Sequence, residues 1–70
     1  MRHLKKGGTA LMAAAQNGHD TVVKLLLSHP DTAVNAQNED GQTALFIASM
    51  EGHATVVNML LSRPDIAVNA

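Results

Sequence analysis

The sequence has no cysteine, tryptophan or tyrosine, a single phenylalanine (Phe46) and two prolines. Without cysteine there can be no disulfide and no thiolate metal site to brace a small fold. That absence also fits an intracellular protein, and a cytoplasmic location is the expectation. The shortage of aromatic residues argues against a sandwich or barrel, where aromatic and β-branched side chains are enriched. Long apolar runs are missing too. The longest, Ala10 to Ala15, is far below the roughly 18 residues of a membrane span. Arg2, Lys5 and Lys6 imitate the start of a signal peptide, but Gly7-Gly8 follow and the next apolar run is short, so no targeting segment is expected. Nor does one sign of charge dominate. Five Lys and Arg face six Asp and Glu, a net charge of −1 that argues against a general binder of nucleic acid or acidic membrane.

What is present is small and aliphatic. Apolar residues make up 46% of 70 residues, enough for one domain of marginal stability built from Ala, Val, Leu and Met. Its organising feature is a repetition. Gly18-His19-Asp20-Thr21-Val22-Val23-Lys24-Leu25-Leu26-Leu27-Ser28 returns as Gly52-His53-Ala54-Thr55-Val56-Val57-Asn58-Met59-Leu60-Leu61-Ser62, an offset of 34 residues. When 9–36 is laid on 43–70 without gaps, 18 of 28 pairs are identical. Self-similarity at this period signals a repeat architecture, in which each unit buries its apolar face only by stacking on a neighbour.

Each unit parses into two short helices. Thr9 and Thr43 are positioned to cap the first, because a hydroxyl can accept a bond from a free N–H of the opening turn. Helices are expected over Ala10–Asn17 and Ala44–Glu51, stopped by Gly18 and Gly52, which tolerate a left-handed backbone. Thr21–Ser28 and Thr55–Ser62 then read as second helices, with Asp20 or the repeated Thr21 and Thr55 as caps. Pro30 and Pro64 prevent their continuation. Asn38-Glu39-Asp40-Gly41 between the units is a tight-turn signal.

With these residues assembled, the sequence resembles the ankyrin repeat. Gly-Gln-Thr-Ala-Leu (41–45), Gly-His (52–53), Val-Val-Asn-Met-Leu-Leu (56–61) and Val-Asn-Ala (68–70) carry the resemblance in the second unit. Gly7, Thr9-Ala10-Leu11, Gly18-His19, Val22–Leu27 and Val34-Asn35-Ala36 carry it in the first. There are departures. Ala10 and Ala44 stand where the family favours Pro, and Met12 and Phe46 where it favours His. Pro30-Asp31 and Pro64-Asp65 occupy a loop one residue longer than usual. The resemblance implies an all-α repeat (solenoid) fold: two ankyrin-like helix-turn-helix repeats joined by a hairpin-like turn. The expected boundaries are an arm at 1–6, repeat 1 at 7–40 and repeat 2 at 41–70. Arrays of this kind need about three units or more. Val56, Val57, Met59, Leu60 and Leu61 are therefore expected to face a further unit, which points to a fragment of a longer array or to ends hidden against a partner or a second copy.

Few residues suggest chemistry. His19 and His53 recur at the helix–helix turn, and recurrence marks a structural demand, here a hydrogen bond that fixes the loop. A shared metal fails on distance: stacked helices lie about 8–10 Å apart, whereas an imidazole binds Zn²⁺ at about 2.0–2.1 Å. Ser28, Ser49 and Ser62 lie in no nucleophile motif, and Lys6-Gly7-Gly8-Thr9 is too short for a phosphate loop. Asp31 and Asp65 repeat as turn formers. Arg2, Lys5 and Lys6 read as a solvated terminal arm without the interleaved aromatics of a nucleic-acid contact. No enzyme activity, cofactor or metal is expected.

Function is sought instead among positions that fail to repeat. Identical positions are expected to serve the fold, and Met12 and Phe46 to pack between units. The differing pairs are Lys5/Glu39, Lys6/Asp40, Gly8/Gln42, Gln16/Met50 and Asn17/Glu51. In ankyrin-like proteins the hairpin tips and the exposed side of the first helix form a concave binding surface. Carried over, that resemblance implies a protein-binding surface of Lys5, Lys6, Gln16, Asn17, Glu39, Asp40, Gln42, Met50 and Glu51, with Met50 its most promising anchor. The partner is expected to be another protein, and the alternative is self-association through the unit ends.

Overall fold

The structure, a computed structural model, describes residues 8–68. It contains four helices in two pairs: α1 (Gly8–Asn17), α2 (Asp20–Leu27), α3 (Ala44–Glu51) and α4 (Ala54–Leu61). There is no strand among the described residues. Within each pair α1 packs on α2 and α3 on α4; between pairs α1 packs on α3 and α2 on α4. The result is a two-layer stack of two equivalent units.

The glycine stops act as the sequence predicts. Gly18 and Gly52 adopt φ of 68° and 77°. His19 N donates to Ala14 O and Gly18 N to Ala15 O; His53 N and Gly52 N repeat this with Ala48 O and Ser49 O. These paired bonds form a Schellman motif, which satisfies carbonyls left free where a helix ends. Thr43 caps α3, its Oγ1 accepting from Phe46 N at 3.2 Å. Other expected caps fail. Thr9 lies inside α1, which already starts at Gly8. The cap positions of α2 and α4 are His19 and His53, with no side-chain cap bond. Asp20 is thus the first residue of α2, and Thr21 and Thr55 are second in their helices. The cause is the shortness of the turn: His19 N and His53 N are already committed to the preceding helix, so the next helix starts one residue early.

The core is one cluster drawn from both units, with Leu11, Ala14, Ala15, Val23 and Val34 from the first and Ala44, Ala48, Val56 and Leu60 from the second. Its alanines let the helices approach closely, and Leu11, Leu60, Val23 and Val56 are its largest fully buried side chains. Two sequence expectations are overturned here. Val56 and Leu60 do not face outward; they are buried against the first unit. Phe46 does not pack between units as Met12 does. Met12 is covered, whereas Phe46 stays half exposed on the outer side of α3. One rule explains both. A given repeat position points the same way in each unit, so its burial depends on whether a unit lies on that side. Val56 is 0% exposed and its counterpart Val22 44%, while Val34 is 3% exposed and Val68 58%.

Polar contacts fix the register of the stack. His53 Nε2 lies 3.0 Å from Gln16 O, with its ring against Gly18, where an added Cβ would meet the imidazole at 2.8 Å. The loop-fixing role expected of the repeated histidine is therefore realised across units. Among the described residues His19 makes no such bond. Asn35 Nδ2 donates to Asp65 O at 2.8 Å, and Asn35 Oδ1 accepts from Ala67 N at 2.7 Å. Arg63 does most. Its Nη1 donates to Leu27 O at 2.7 Å and to His29 O at 3.4 Å, while Nε and Nη2 grip the two oxygens of Asp65 at 2.9 Å each. Arg63 differs from its counterpart His29, yet it serves the fold, so the rule that differing positions are free for function is corrected at this site. The hydrogen bond from Arg63 holds the Asp65 carboxyl below the usual carboxylate range, and Asp65 in turn raises the guanidinium.

Two outcomes are expected from this arrangement. Leu60→Ala opens a cavity among fully buried residues and should cost about 2–5 kcal/mol in denaturant unfolding. A chain of this size holds only about 4–10 kcal/mol in total, so the variant should lose a large share of its stability and unfold at a much lower denaturant concentration, whereas exposed Leu25→Ala should cost under about 0.5 kcal/mol. The second outcome concerns pH. A carboxyl whose folded pKa is depressed contributes stability above its unfolded pKa, and that contribution is lost as pH falls through the folded value. Thermal melts should therefore show the wild type losing stability through and below the ordinary Asp range, with a smaller loss for Asp65→Asn. Salt should narrow the difference, because the carboxylate end of the pair is exposed to solvent.

Candidate partner-binding surface

The turn that leads into α3 is organised by one side chain. Asn38 Oδ1 accepts from Asp40 N and Gln42 N at 2.9 Å each, and Asn38 Nδ2 donates to Gln42 Oε1 at 2.9 Å. Backbone bonds from Asn38 N to Gln42 O and from Gly41 N to Asn38 O close it at 3.0 Å each, with Gly41 at φ 76°. An asparagine that bonds its own backbone two residues on is a ready-made turn former. The tip so formed presents Glu39 and Asp40 to solvent. Gln42, expected to be a binding residue, is half-buried with its carbonyl oxygen engaged by Asn38, so it supports the tip from within.

Gln16, Asn17, Met50 and Glu51 are all exposed, on the last turns of α1 and α3. Because α1 packs on α3 and His53 joins the second unit to Gln16 O, these four share one end of the first-helix layer. Asn17 Nδ2 caps its own helix by donating to Ala13 O at 2.9 Å. Glu39 and Asp40 sit at the opposite end, beyond the N-terminus of α3. An eight-residue helix spans about 12 Å, so the residues chosen from sequence form two groups, not one cluster. Phe46 lies between them, one helical turn from Met50, and both side chains are well exposed. The match of Phe46 to Met12 suggests packing and hides this exposure in the sequence; the signal available is that an aromatic replaces the aliphatic at that position. Lys5 and Lys6 lie outside the described residues.

Elsewhere the surface offers little chemistry. A shallow groove between α2 and α4 is lined by Lys24, Leu27, Ser28, Met59, Ser62 and Arg63. Its two hydroxyls donate to helix carbonyls, Ser28 Oγ to Leu25 O at 2.7 Å and Ser62 Oγ to Asn58 O at 2.9 Å. Among the described residues no three His, Asp or Glu gather where they could hold a metal ion, and no helix is long and apolar enough to cross a membrane.

A family model described as ankyrin repeats, in three copies, matches residues 1–70. Within that match the described residues form two helix pairs. No curated protein and no solved structure matches the chain. Ankyrin repeats generally act as protein–protein interaction modules and are generally non-catalytic. The match over the full sequence, the paired helices stacked at a 34-residue offset and the histidine, His53, that ties the helix turn of the second unit to the first make this chain a member of the ankyrin-repeat family.

Proposed function

We propose that this chain binds a partner protein through the first-helix layer and the turn tip, without chemistry. The observation that supports this best is the behaviour of position 50. Its counterpart in the first unit is Gln16, so the fold requires no apolar group there, yet Met50 is apolar and exposed beside Glu51 and one turn from Phe46. Methionine adapts its shape to a partner and is over-used on binding surfaces. With Glu39 and Asp40 on one side and Glu51 on the other, the surface suits a partner segment that presents apolar side chains flanked by basic ones. Gln16 and Asn17 extend it onto the first unit, Gln42 positions the tip, and Lys5 and Lys6 would supply a basic edge. We place the boundaries at 1–6, 7–40 and 41–70. The near-neutral charge favours a protein over nucleic acid or membrane as the partner, and the lack of cysteine supports a cytoplasmic setting. A second reading, self-association through the outer faces of the two units, is favoured by the exposed apolar side chains there.

A photo-crosslinking residue at position 50 should capture the partner. The captured protein should then bind the triple variant Glu39→Ala, Met50→Ala, Glu51→Ala at least tenfold more weakly than the wild type, and bind Lys24→Ala on the second-helix layer normally. Equal affinity for the wild type and the triple variant would remove the reading.

A further inference from the structure

The contact between the two units has two sides, and each side occurs twice. On the side of the first unit covered by the second lie Leu11, Met12, Val23, Leu27 and Val34, all buried or half-buried. Their counterparts on the outer side of the second unit are Leu45, Phe46, Val57, Leu61 and Val68. The last of these five, with Phe46 and Leu61, is exposed, and all five line one hollow of about 350 Å³. On the side of the second unit that does the covering lie Ala44, Ile47, Val56 and Met59. Their counterparts on the outer side of the first unit are Ala10, Ala13, Val22 and Leu25, all exposed. One chain therefore exposes both halves of an interface that it also forms internally.

A second feature points the same way. His53 fills the space over Gly18 and reaches Gln16 O. Over Gly52, the equivalent glycine, a built Cβ meets nothing within 4 Å, and a hollow of about 320 Å³ lined by Ala48, Ser49, Gly52, Ala54, Val57 and Asn58 lies there. The imidazole of His19, by contrast, has no hydrogen bond among the described residues. Filled socket and engaged histidine pair up inside the chain; empty socket and unengaged histidine lie on its two outer sides.

We infer that the outer face of α3 and α4 docks on the outer face of α1 and α2 of a second copy, head to tail, with His19 of that copy seated over Gly52 and bonded to Met50 O. This rests on the self-association reading and specifies its geometry. The junction reuses the packing of the internal contact but lacks its strongest clamp, since His29 stands where Arg63 acts. It is therefore weaker than the contact within the chain. A head-to-tail contact does not close on itself as a two-fold dimer does, so association continues with concentration.

Three samples of the 70-residue chain test this by sedimentation over a concentration series: the wild type, Leu25→Lys and Leu61→Lys. Leu25 and Leu61 are 61% and 48% exposed, and lysine is compatible with the last turn of a helix, so both variants should keep the wild-type helical ellipticity. If either loses it, Leu25→Ser or Leu61→Ser replaces it. The expected result is a wild-type mass that climbs past a dimer, monomers for each variant alone, and a 1:1 dimer that grows no further when the two variants are mixed, because the pair retains one intact junction. His19→Ala should weaken wild-type association several-fold. A wild type that stays monomeric throughout would overturn self-association itself. A wild type that stops at a dimer, or a Leu25→Lys chain that still self-associates, would leave self-association standing and overturn the head-to-tail geometry.

Discussion

An eight-residue helix is about two turns long, and an isolated helix of that length does not hold in water. Nor can a pair of them bury enough apolar surface. Every other feature of this molecule follows from the stacking of one helix pair on another. Val23 and Leu11 are buried only because a second unit lies over them, and Val56 and Leu60 only because a first unit lies beneath. The small side chains of α1 and α3 serve the same end. A core of Ala14, Ala15 and Ala48 has little volume of its own, but it brings four short helices close enough for valine and leucine to close the remaining space.

The register of the stack is set by a different kind of contact. His53, Arg63 and Asn35 each reach across the units, and each addresses backbone: Gln16 O, Leu27 O with His29 O, and Asp65 O with Ala67 N. A carbonyl is present whatever the side chain, so this clamping places no demand on the residue identity at position 16 or 50. The fold is therefore fastened through the same segment whose side chains it leaves free, and a binding surface can vary there without loosening the stack.

The parts of the fold legible in the sequence are those set by neighbours along the chain. The left-handed Gly18 and Gly52, the Thr43 cap, the turn at Asn38–Gly41 and the helix pairs are all local, and the 34-residue offset doubles the evidence for most of them. The misreadings have one source. Comparing copies treats them as equivalent, and packing makes them unequal. Phe46 matches Met12 in sequence, and Val56 and Leu60 read as an open face, because sequence shows which residues correspond but not which side of a unit is covered. Arg63 is illegible for the opposite reason. It stands where the first unit has histidine, and nothing local shows that its side chain bridges 36 positions back to Leu27. The candidate surface is only partly legible: the sequence marks Met50 and Glu51 as unlike their counterparts, but not that α3 separates them from Glu39 and Asp40.

The molecule thus carries two kinds of surface that obey opposite rules of substitution. On the first-helix layer, Gln16, Asn17, Met50 and Glu51 are exposed and vary between units, so under the proposed binding mode a change there would alter recognition and leave the core intact. On the outer faces, Val22, Leu25, Leu61 and Val68 match, or nearly match, residues that the other unit buries or half-buries. Their chemistry is that of an interior displayed outside. Apolar side chains gathered this way are costly to leave in water, and the surface with the best shape and chemistry to cover them is the one that covers their counterparts within the same chain. The proposed recognition of a different protein and the proposed stacking on a like unit can therefore coexist on one small molecule, because, Phe46 at their border apart, they draw on side chains that point in different directions and answer to different constraints.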